Sequence, residues 1–451
     1  MRYLAVVSLA IAVRLPGVWR NALSQDEVFS ARILREPTVP GVVRHVIRTE
    51  STPPLWYLLG WLVHHLGVPV VDVRLLSVAF GGAFAAVVLA LASEVLPRGY
   101  AFAAGLVAAL AYEPVVHGSQ LRSYELLALL AALLGLLLVR SLRAPSRRLD
   151  IAVGATVWAG LLTHYFFVFS LAAVVVWLWV DPQARPLRRR ATLAIASAGA
   201  LAAPWLPAFV AQFRHDRYWW IPRFSARVVL VTPLRVFAPL GVRHLAAGVV
   251  VLGIACTGGW LLARSSAAGR LIVAMAALPI LLAAVLWAGG MRIYAVRNLI
   301  ETAPFVVLAV AATVAPLRRA ALPAAVAAVA AAGAVYLAVA ARPPAQYGAI
   351  ARALVADGWR PADPIAVFGN FFSFRAPLEW YLPHDPLLDV SSPTSAHCPA
   401  VFVVQPNGAG SFTVDRLTGV PARVRHATVL ASMHGASCVR LSHSPRLEPL
   451  T

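Results

Sequence analysis

Two neighbouring carboxylates, Asp26 and Glu27, follow the first apolar stretch of the chain by only a few residues. If that stretch crosses a bilayer, both acids lie near the membrane surface, where acidic side chains are costly unless they are paired or functional. A carboxylate within hydrogen-bond reach of a hydroxyl can accept its proton as a general base. The alternative is a helix start, with both acids in the first turn and Ser24 near the cap.

Two arginines, Arg122 and Arg297, each stand beside a long apolar stretch. A guanidinium group binds phosphate through bidentate hydrogen bonds, so either side chain could hold a phosphate, and Arg44 or Arg48 could substitute. The alternative for Arg122 is to extend toward lipid headgroups or to pair with Glu125.

The pair His164-Tyr165 stands between two short apolar stretches. Histidine is the side chain whose ordinary titration range suits acid–base work, although a single histidine more often packs or caps. The sequence leaves both roles open.

The composition of the chain predicts the kind of helices that must position these residues. Hydrophobic residues make up 60% of the 451 and charged residues 13%, against about 45–50% and about 25% in soluble domains. This excludes a water-soluble protein, a disordered chain and a nucleic-acid-binding domain. It predicts a polytopic α-helical membrane protein with about eleven spans, which are 3–19, 73–96, 101–117, 123–142, 150–163, 166–181, 191–211, 244–263, 271–288, 299–315 and 321–341. The pair 150–181 reads as a hairpin that turns at residues 163–165.

The net charge of +20 comes entirely from arginine, because the chain has no lysine. Such usage favours a high-GC bacterial genome. Clustered arginines in short loops mark the cytoplasmic side, which predicts a cytoplasmic N-terminus and an outer face that holds residues 20–72, 117–124, 212–243, 289–298 and the tail. Cleavage of the first stretch as a signal peptide is the alternative to an uncleaved span.

Two segments outside the spans have structure of their own. The first outer loop, 20–72, contains segment 30–48 and a Pro53-Pro54 opening into 55–66, which predicts a pair of juxtamembrane helices. Residues 342–451 contain short β-like runs at 365–368 and 401–404, which predict a small extracytoplasmic α/β domain. The domain division is therefore 1–341 and 342–451.

The order of these motifs resembles the GT-C superfamily of integral-membrane glycosyltransferases, in its bacterial branch related to protein O-mannosyltransferases and lipid A aminoarabinose transferases. The likeness covers about the first 340 residues. It is carried by five elements on one side of the membrane, which are Asp26-Glu27, Pro53-Pro54-Leu55-Trp56-Tyr57, Arg122-Ser123-Tyr124, His164-Tyr165 and Arg297.

The resemblance implies transfer of a sugar, with inversion, from a polyprenyl-phosphate donor to a lipid, glycan or protein acceptor on the extracytoplasmic face of a bacterial plasma membrane. It implies Asp26 as catalytic base. Substrate-binding roles then fall to Glu27, Arg122, Tyr124, His164, Tyr165 and Arg297.

Two departures from the family pattern stand out. Gln120 occupies a position where the family often has an acid, and Asn298 replaces an aromatic residue. Some family members use a divalent metal. Because Gln120 stands where an acidic ligand is expected, the sequence favours a protein without a metal.

The competing hypotheses are a non-enzymatic flippase or transporter of lipid-linked sugars and a structural envelope-assembly protein. A transporter tends to place its charged residues near mid-membrane, whereas here they gather at one boundary.

Overall fold

The structure is a computed structural model, and it divides into two compact units. Unit 1 comprises Met1–Val18 and Ala31–Val339, and unit 2 comprises Trp19–Ser30 and Ala340–Thr451. The described residues are 1–21, 23–214, 221–240, 242–315, 347–356, 358–360, 365–367, 378, 380–382, 387–389, 402–406, 412–416, 427–433 and 436–441.

Helices make up nearly all of the described part before residue 357. They are α1 Arg2–Arg20, α2 Gln25–Leu34, α3 Val39–Thr49, α4 Leu55–His65, α5 Arg74–Val95, α6 Arg98–Leu110, α7 Tyr112–His117, α8 Tyr124–Arg143, α9 Arg147–Leu161, α10 Phe167–Val180, α11 Arg185–Ala202, α12 Leu206–Phe213, α13 Ala226–Arg235, α14 Leu245–Ser265, α15 Ala267–Ala288, α16 Ala303–Val314 and α17 Tyr347–Ala356. A 3-10 helix, Val296–Thr302, precedes α16.

Within the described residues, seven helical stretches are long and apolar enough to cross a membrane. They are Arg2–Arg20, Arg74–Val95, Tyr124–Arg143, Pro182–Phe213, Val242–Ser265, Ala267–Ala288 and Val296–Val314. The chain is thus a multi-pass helical membrane protein. The predicted total of about eleven stays a prediction, because span 321–341 lies outside the described residues. The predicted hairpin corresponds to α9 and α10, which have 15 and 14 residues.

The first outer loop holds three helices, α2, α3 and α4, rather than the predicted pair. The predicted segment 30–48 is broken because Pro37 cannot continue α2 and Thr38 starts a new helix. The Thr38 hydroxyl accepts a hydrogen bond from the Gly41 amide at 3.2 Å. The break turns one long helix into two short ones.

The ends of several helices are joined by arginine–carboxylate pairs. Arg140 and Arg143 at the end of α8 contact Glu94 of α5. Arg190 contacts Asp150 at 2.6 Å, and Arg270 contacts Asp181 at 2.7 Å. These pairs bring the arginine-rich turns predicted to be cytoplasmic to one end of the helices. Arg318 and Arg319 of the same prediction lie outside the described residues.

Helix α8 is fixed near its start by a fully buried ion pair. Arg14 of α1 donates to the Glu125 carboxylate at 3.1 Å and to the Ala109 carbonyl at 3.0 Å. Gly81 and Gly118 leave no room for a Cβ beside the Arg14 side chain. Glu125 is therefore the partner of Arg14, and the pairing of Arg122 with Glu125 considered from the sequence is wrong.

The described residues of the tail include six short strands, which are β1 Ile365–Val367, β2 Leu387–Asp389, β3 Phe402–Pro406, β4 Phe412–Arg416, β5 Ala427–Met433 and β6 Ala436–Leu441. Strand β1 pairs in parallel with β2 and β3, β4 is antiparallel to β3, and β5 and β6 form a separate antiparallel pair. The boundary predicted at 341/342 falls among residues outside the described ones. A small α/β domain over 342–451 therefore stays a prediction.

Candidate active site

The start of α8 is the point where residues remote in sequence meet. The Tyr124 ring lies 5.9 Å from the guanidinium carbon of Arg122, measured to the ring centroid, and 5.9 Å from that of Arg297. Arg122 lies two residues before the start of α8, and Arg297 lies in the 3-10 helix before α16. The packing of that 3-10 helix against α8 thus brings two guanidinium groups to one aromatic ring.

Arg122 has a buried acidic partner in the first outer loop. Its Nη1 donates to the two oxygens of the Glu50 carboxylate at 3.3 and 3.1 Å. Glu50 caps the C-terminus of α3, just before the Pro53-Pro54 turn. Both side chains are nearly inaccessible to solvent, and a buried charge pair of this kind is kept only where its desolvation is offset.

Glu50 is a residue that the sequence reasoning missed. Its neighbour Tyr57 shares a hydrogen bond of 3.0 Å with the Thr52 hydroxyl. Burial raises the pKa of Tyr57 well above its usual value of 10. The available signal was a single acid, three residues before the Pro-Pro-Leu-aromatic motif. Nothing in the sequence indicates that this acid faces Arg122.

His164 lies next to the ring of Tyr124. The centroids of His164 and Tyr124 are 5.7 Å apart, and the His164 Nδ1 accepts the Phe166 amide N–H at 3.2 Å. Burial, together with the nearby charges of Arg122 and Arg297, lowers the pKa of His164 from 6.5 to about 3. His164 is therefore neutral, with its remaining N–H on Nε2. Four predicted residues, Arg122, Tyr124, His164 and Arg297, come together here.

Tyr165 belongs to a different network. Its hydroxyl donates to the Gln212 side-chain oxygen and accepts from the Trp205 indole at 3.0 Å. The Gln212 amide donates in turn to the carbonyls of Val46 and Thr52 at 2.9 and 3.2 Å. Tyr165 thus helps to tie α12 to the first outer loop instead of joining the ring of Tyr124.

Beside this network is an apolar groove of about 350 Å³. Its aromatic wall consists of Tyr165, Phe166, Phe169, Trp205, Phe209 and Phe213. Phe166 is 5.6 Å from His164, centroid to centroid, so a single imidazole ring separates the groove wall from Tyr124.

A second histidine, His117, also lies next to the Tyr124 ring. The centroid of His117 is 4.7 Å from that of Tyr124. Its Nε2 lies 3.0 Å from a carboxylate oxygen of Glu113, and its Nδ1 lies 2.8 Å from the Gln120 side-chain oxygen. Arg235 of α13 donates to the other Glu113 oxygen at 3.0 Å. Glu113 and Gln120 thus both contact the imidazole of His117.

Asp26 and Glu27 lie in unit 2. Asp26 is half-buried in the first turn of α2, and Glu27 is buried. A Glu27 oxygen accepts from both the main-chain amide and the hydroxyl of Ser24 at 2.9 Å. The bond from the Ser24 amide is one half of a capping box, which gives Glu27 a structural use at the start of α2, where Asp26 also lies.

Other predicted groups lie away from this cluster. Arg44 and Arg48, the proposed substitutes for phosphate binding, are exposed on α3. Over the part of the chain that the structure describes, no three His, Cys, Asp or Glu side chains gather as a metal site. A divalent metal therefore has no ready-made set of ligands among these residues.

Solved membrane enzymes share this architecture. ArnT from Cupriavidus metallidurans bound to undecaprenyl phosphate has a TM-score of 0.56 and 14% identity over 88% of this chain and 86% of its own. The Archaeoglobus fulgidus oligosaccharyltransferase complex with Zn and sulfate has a TM-score of 0.54 and 11% identity over 90% and 68%.

The chain has the GT-C fold. No family sequence model and no curated protein sequence matches it, so the likeness is one of fold. This is the fold expected from the five motifs.

Proposed function

We propose that this GT-C protein is a membrane glycosyltransferase that moves a sugar from a polyprenyl-phosphate donor to an acceptor. The observation that carries the proposal is the convergence of Arg122 and Arg297 on the ring of Tyr124. A buried guanidinium group, that of Arg122, and a half-buried one, that of Arg297, suit a phosphate at this place, on which negative charge builds as the sugar leaves.

The neighbouring groove supports a lipid as the carrier of that phosphate. Its walls are almost wholly apolar, and one imidazole ring separates it from Tyr124, on whose ring the two arginines converge. A polyprenyl phosphate combines an anionic head with an apolar tail, so its first isoprene units suit the groove while its phosphate binds the arginines. ArnT, which shares the fold, is bound to undecaprenyl phosphate in its solved structure.

The chemical step assigned to Asp26 is general-base catalysis. The acceptor oxygen bonds to the anomeric carbon, and the bond from that carbon to the phosphate oxygen breaks with its electron pair on oxygen. The acceptor proton goes to Asp26. A single displacement without a glycosyl-enzyme intermediate inverts the anomeric configuration. Neutral His164 can donate its Nε2–H to a sugar or phosphate oxygen.

The reaction is proposed for the extracytoplasmic face of a bacterial plasma membrane. The arginine-rich turns at the other end of the helices suit the cytoplasmic side by the positive-inside rule. That orientation gives a cytoplasmic N-terminus and an extracytoplasmic domain at 342–451. The acceptor is a lipid, glycan or protein; a resident metal takes no part in the proposed step.

The decisive experiment compares Asp26→Asn with Glu27→Gln in purified protein. Vesicles carry a radiolabelled polyprenyl-phosphate sugar, and the acceptor is identified beforehand by mass analysis of envelope glycans and glycolipids with and without the gene. Removal of a general base lowers the rate by about 10²–10⁴-fold, so Asp26→Asn should nearly abolish transfer.

The control, Glu27→Gln, should lose only part of a helix cap, or about 0.5–2 kcal/mol of stability. Wild-type transfer by a folded Asp26→Asn protein would remove Asp26 from the mechanism. Movement of labelled donor across the membrane, with no product from wild type, would favour the transporter.

A further inference from the structure

Gln212 is a buried polar side chain in the otherwise apolar helix α12, where it is 2% exposed. Its amide nitrogen donates to the main-chain carbonyls of Val46 and Thr52 at 2.9 and 3.2 Å. A carbonyl oxygen carries no proton, so only the nitrogen of the amide can face these two groups. The two contacts therefore fix the orientation of the amide, and its oxygen is the atom that faces the Tyr165 hydroxyl.

The two carbonyls belong to the chain on either side of Glu50. Val46 lies four residues before Glu50, and its carbonyl also accepts the Glu50 main-chain amide at 3.0 Å. Thr52 lies two residues after Glu50. The Gln212 amide thus holds both ends of the short segment that carries the Glu50 carboxylate, to which Arg122 donates at 3.3 and 3.1 Å.

We propose that Gln212 is a positioning residue of the candidate active site. It fixes the place of Glu50, and Glu50 in turn aligns the guanidinium group of Arg122 with the phosphate of the donor. This inference rests on the proposed function. It adds to the site a residue that comes from α12 and that acts through the first outer loop.

The surroundings of Gln212 hold its amide in one orientation. The Tyr165 hydroxyl donates to the Gln212 oxygen and accepts a hydrogen bond from the Trp205 indole at 3.0 Å. The chain of donors therefore runs in one direction, from Trp205 through Tyr165 to Gln212 and on to the two carbonyls. A buried polar network whose members are bonded in this way makes its surroundings rigid.

A separate contact holds the far end of the same stretch of chain. The Leu55 main-chain amide, at the start of α4, donates to the Leu162 carbonyl at 2.9 Å. Because Leu55 is anchored in this way, loss of the Gln212 bonds should release the stretch around Glu50 while α4 stays in place. The expected effect is a local displacement of one carboxylate rather than unfolding of the loop.

Such a displacement bears directly on phosphate recognition. Arg122 is 7% exposed, and its guanidinium group donates to the Glu50 carboxylate. A guanidinium group binds phosphate through a fixed fork of N–H groups, so it is sensitive to its orientation. If Glu50 moves, Arg122 turns with it and its remaining N–H groups no longer face the phosphate. A misplacement of about 1 Å that originates far from the chemistry can lower a rate by about 10²-fold.

The first test measures phosphate recognition without sugar transfer. Radiolabelled undecaprenyl phosphate and undecaprenol, which differ only in the phosphate, are bound to full-length protein in one detergent. Gln212→Leu keeps about the same side-chain size and should lower the preference for undecaprenyl phosphate by about 10–100-fold, as expected when a hydrogen bond to a charged group is lost. A purely structural role predicts equal weakening of both lipids, and that result overturns the proposal.

Gln183→Leu is the matched control. The Gln183 side chain is exposed at the arginine-rich end of the helices, where its oxygen accepts from Arg270 at 2.9 Å. The same change of residue type should leave the preference for undecaprenyl phosphate at its wild-type value. An equal loss of preference in Gln183→Leu overturns the specific role of Gln212.

The second test follows the first outer loop by hydrogen–deuterium exchange without any ligand. Peptides that cover 46–52 should exchange at least about tenfold faster in Gln212→Leu, whereas the Leu55 amide should be unaffected. Tyr165→Phe, which keeps the ring and removes only the hydroxyl, should give a smaller effect of about two- to tenfold, as for one ordinary hydrogen bond. Unchanged exchange over 46–52 in Gln212→Leu overturns the proposal.

The kinetic test uses the vesicle assay. Gln212→Leu should lower kcat by about 10–100-fold. The double variant with Glu50→Gln should lose no more than the larger of the two single losses, because both changes act through Arg122. Additive losses in kcat overturn the route through Glu50.

The outcomes separate this inference from the proposed function. If wild type transfers sugar and Gln212→Leu keeps its phosphate preference and its kcat, the proposed function stands and the role of Gln212 is overturned. If wild type neither prefers undecaprenyl phosphate nor transfers sugar, the proposed function is overturned. Faster exchange over 46–52 in Gln212→Leu would then still support the hold of Gln212 on the Glu50 segment.

Discussion

Helix α8 has an arginine–glutamate pair at each end, and the two pairs differ in their surroundings. At its start the side chains of Arg122 and Glu50 are 9% and 6% exposed. At its end those of Arg143 and Glu94 are 60% and 16% exposed. An exposed pair contributes about 0–1 kcal/mol, because water screens it and the side chains lose freedom.

The buried pair follows different physics. Each charge loses several kcal/mol of hydration on burial, so mutual attraction alone rarely makes such a pair favourable. Ionisable residues kept under these conditions in membrane proteins mark functional sites. An arginine–glutamate pair thus indicates membrane topology at the end of α8, and a candidate catalytic pocket at its start.

The largest expected difference between the two ends is in activity. Arg297→Gln should lower sugar transfer by about 10²–10³-fold, because a charge that stabilises the leaving phosphate is lost. Arg143→Gln at the exposed end should stay within about twofold of wild type, as its pair is screened by water. Both are measured as initial rates in the vesicle assay. Equal losses in the two folded variants would contradict a functional distinction between the ends.

The next difference is in stability. Glu50→Gln removes the negative charge to which Arg122 donates and should lower the free energy of unfolding by about 3–5 kcal/mol. Glu94→Gln, the matched change at the exposed end, should lower it by no more than about 1 kcal/mol. Denaturant titration in one detergent compares them. Equal free energies of unfolding for Glu50→Gln and Glu94→Gln would show that the buried pair contributes no more to stability than the exposed pair.

The smallest difference is a pH dependence confined to the buried end. His164 has a folded pKa of about 3 against an unfolded value of 6.5. The unfolded chain therefore binds the proton first, and stability falls as the pH drops from 6.5 toward 3, by up to about 1.4 kcal/mol per pH unit. His164→Gln should flatten the fall in thermal midpoint over this window. A fall that is identical in wild type and His164→Gln would contradict a buried neutral imidazole.

Parts of the site were predictable because local sequence carries them. The apolar stretches fix where helices such as α5 and α8 lie, and arginine in short turns marks one end of them. The Asp26-Glu27 helix start and the Pro53-Pro54 opening are local signals of the same kind. The prediction of one helix over 30–48 was wrong, because Pro37 stops α2 and Thr38 caps a new helix.

The sequence by itself determined the class of the protein, the positions of most apolar helices and the residue types available for chemistry, because hydropathy and capping act over a few neighbouring residues. Only the tertiary structure decided which of those residues meet. Arg122 faces Glu50, Glu125 faces Arg14, and Arg297 reaches Tyr124. These pairings depend on the packing of helices far apart in the chain, and no pattern within one helix records which neighbour its charged side chain will meet.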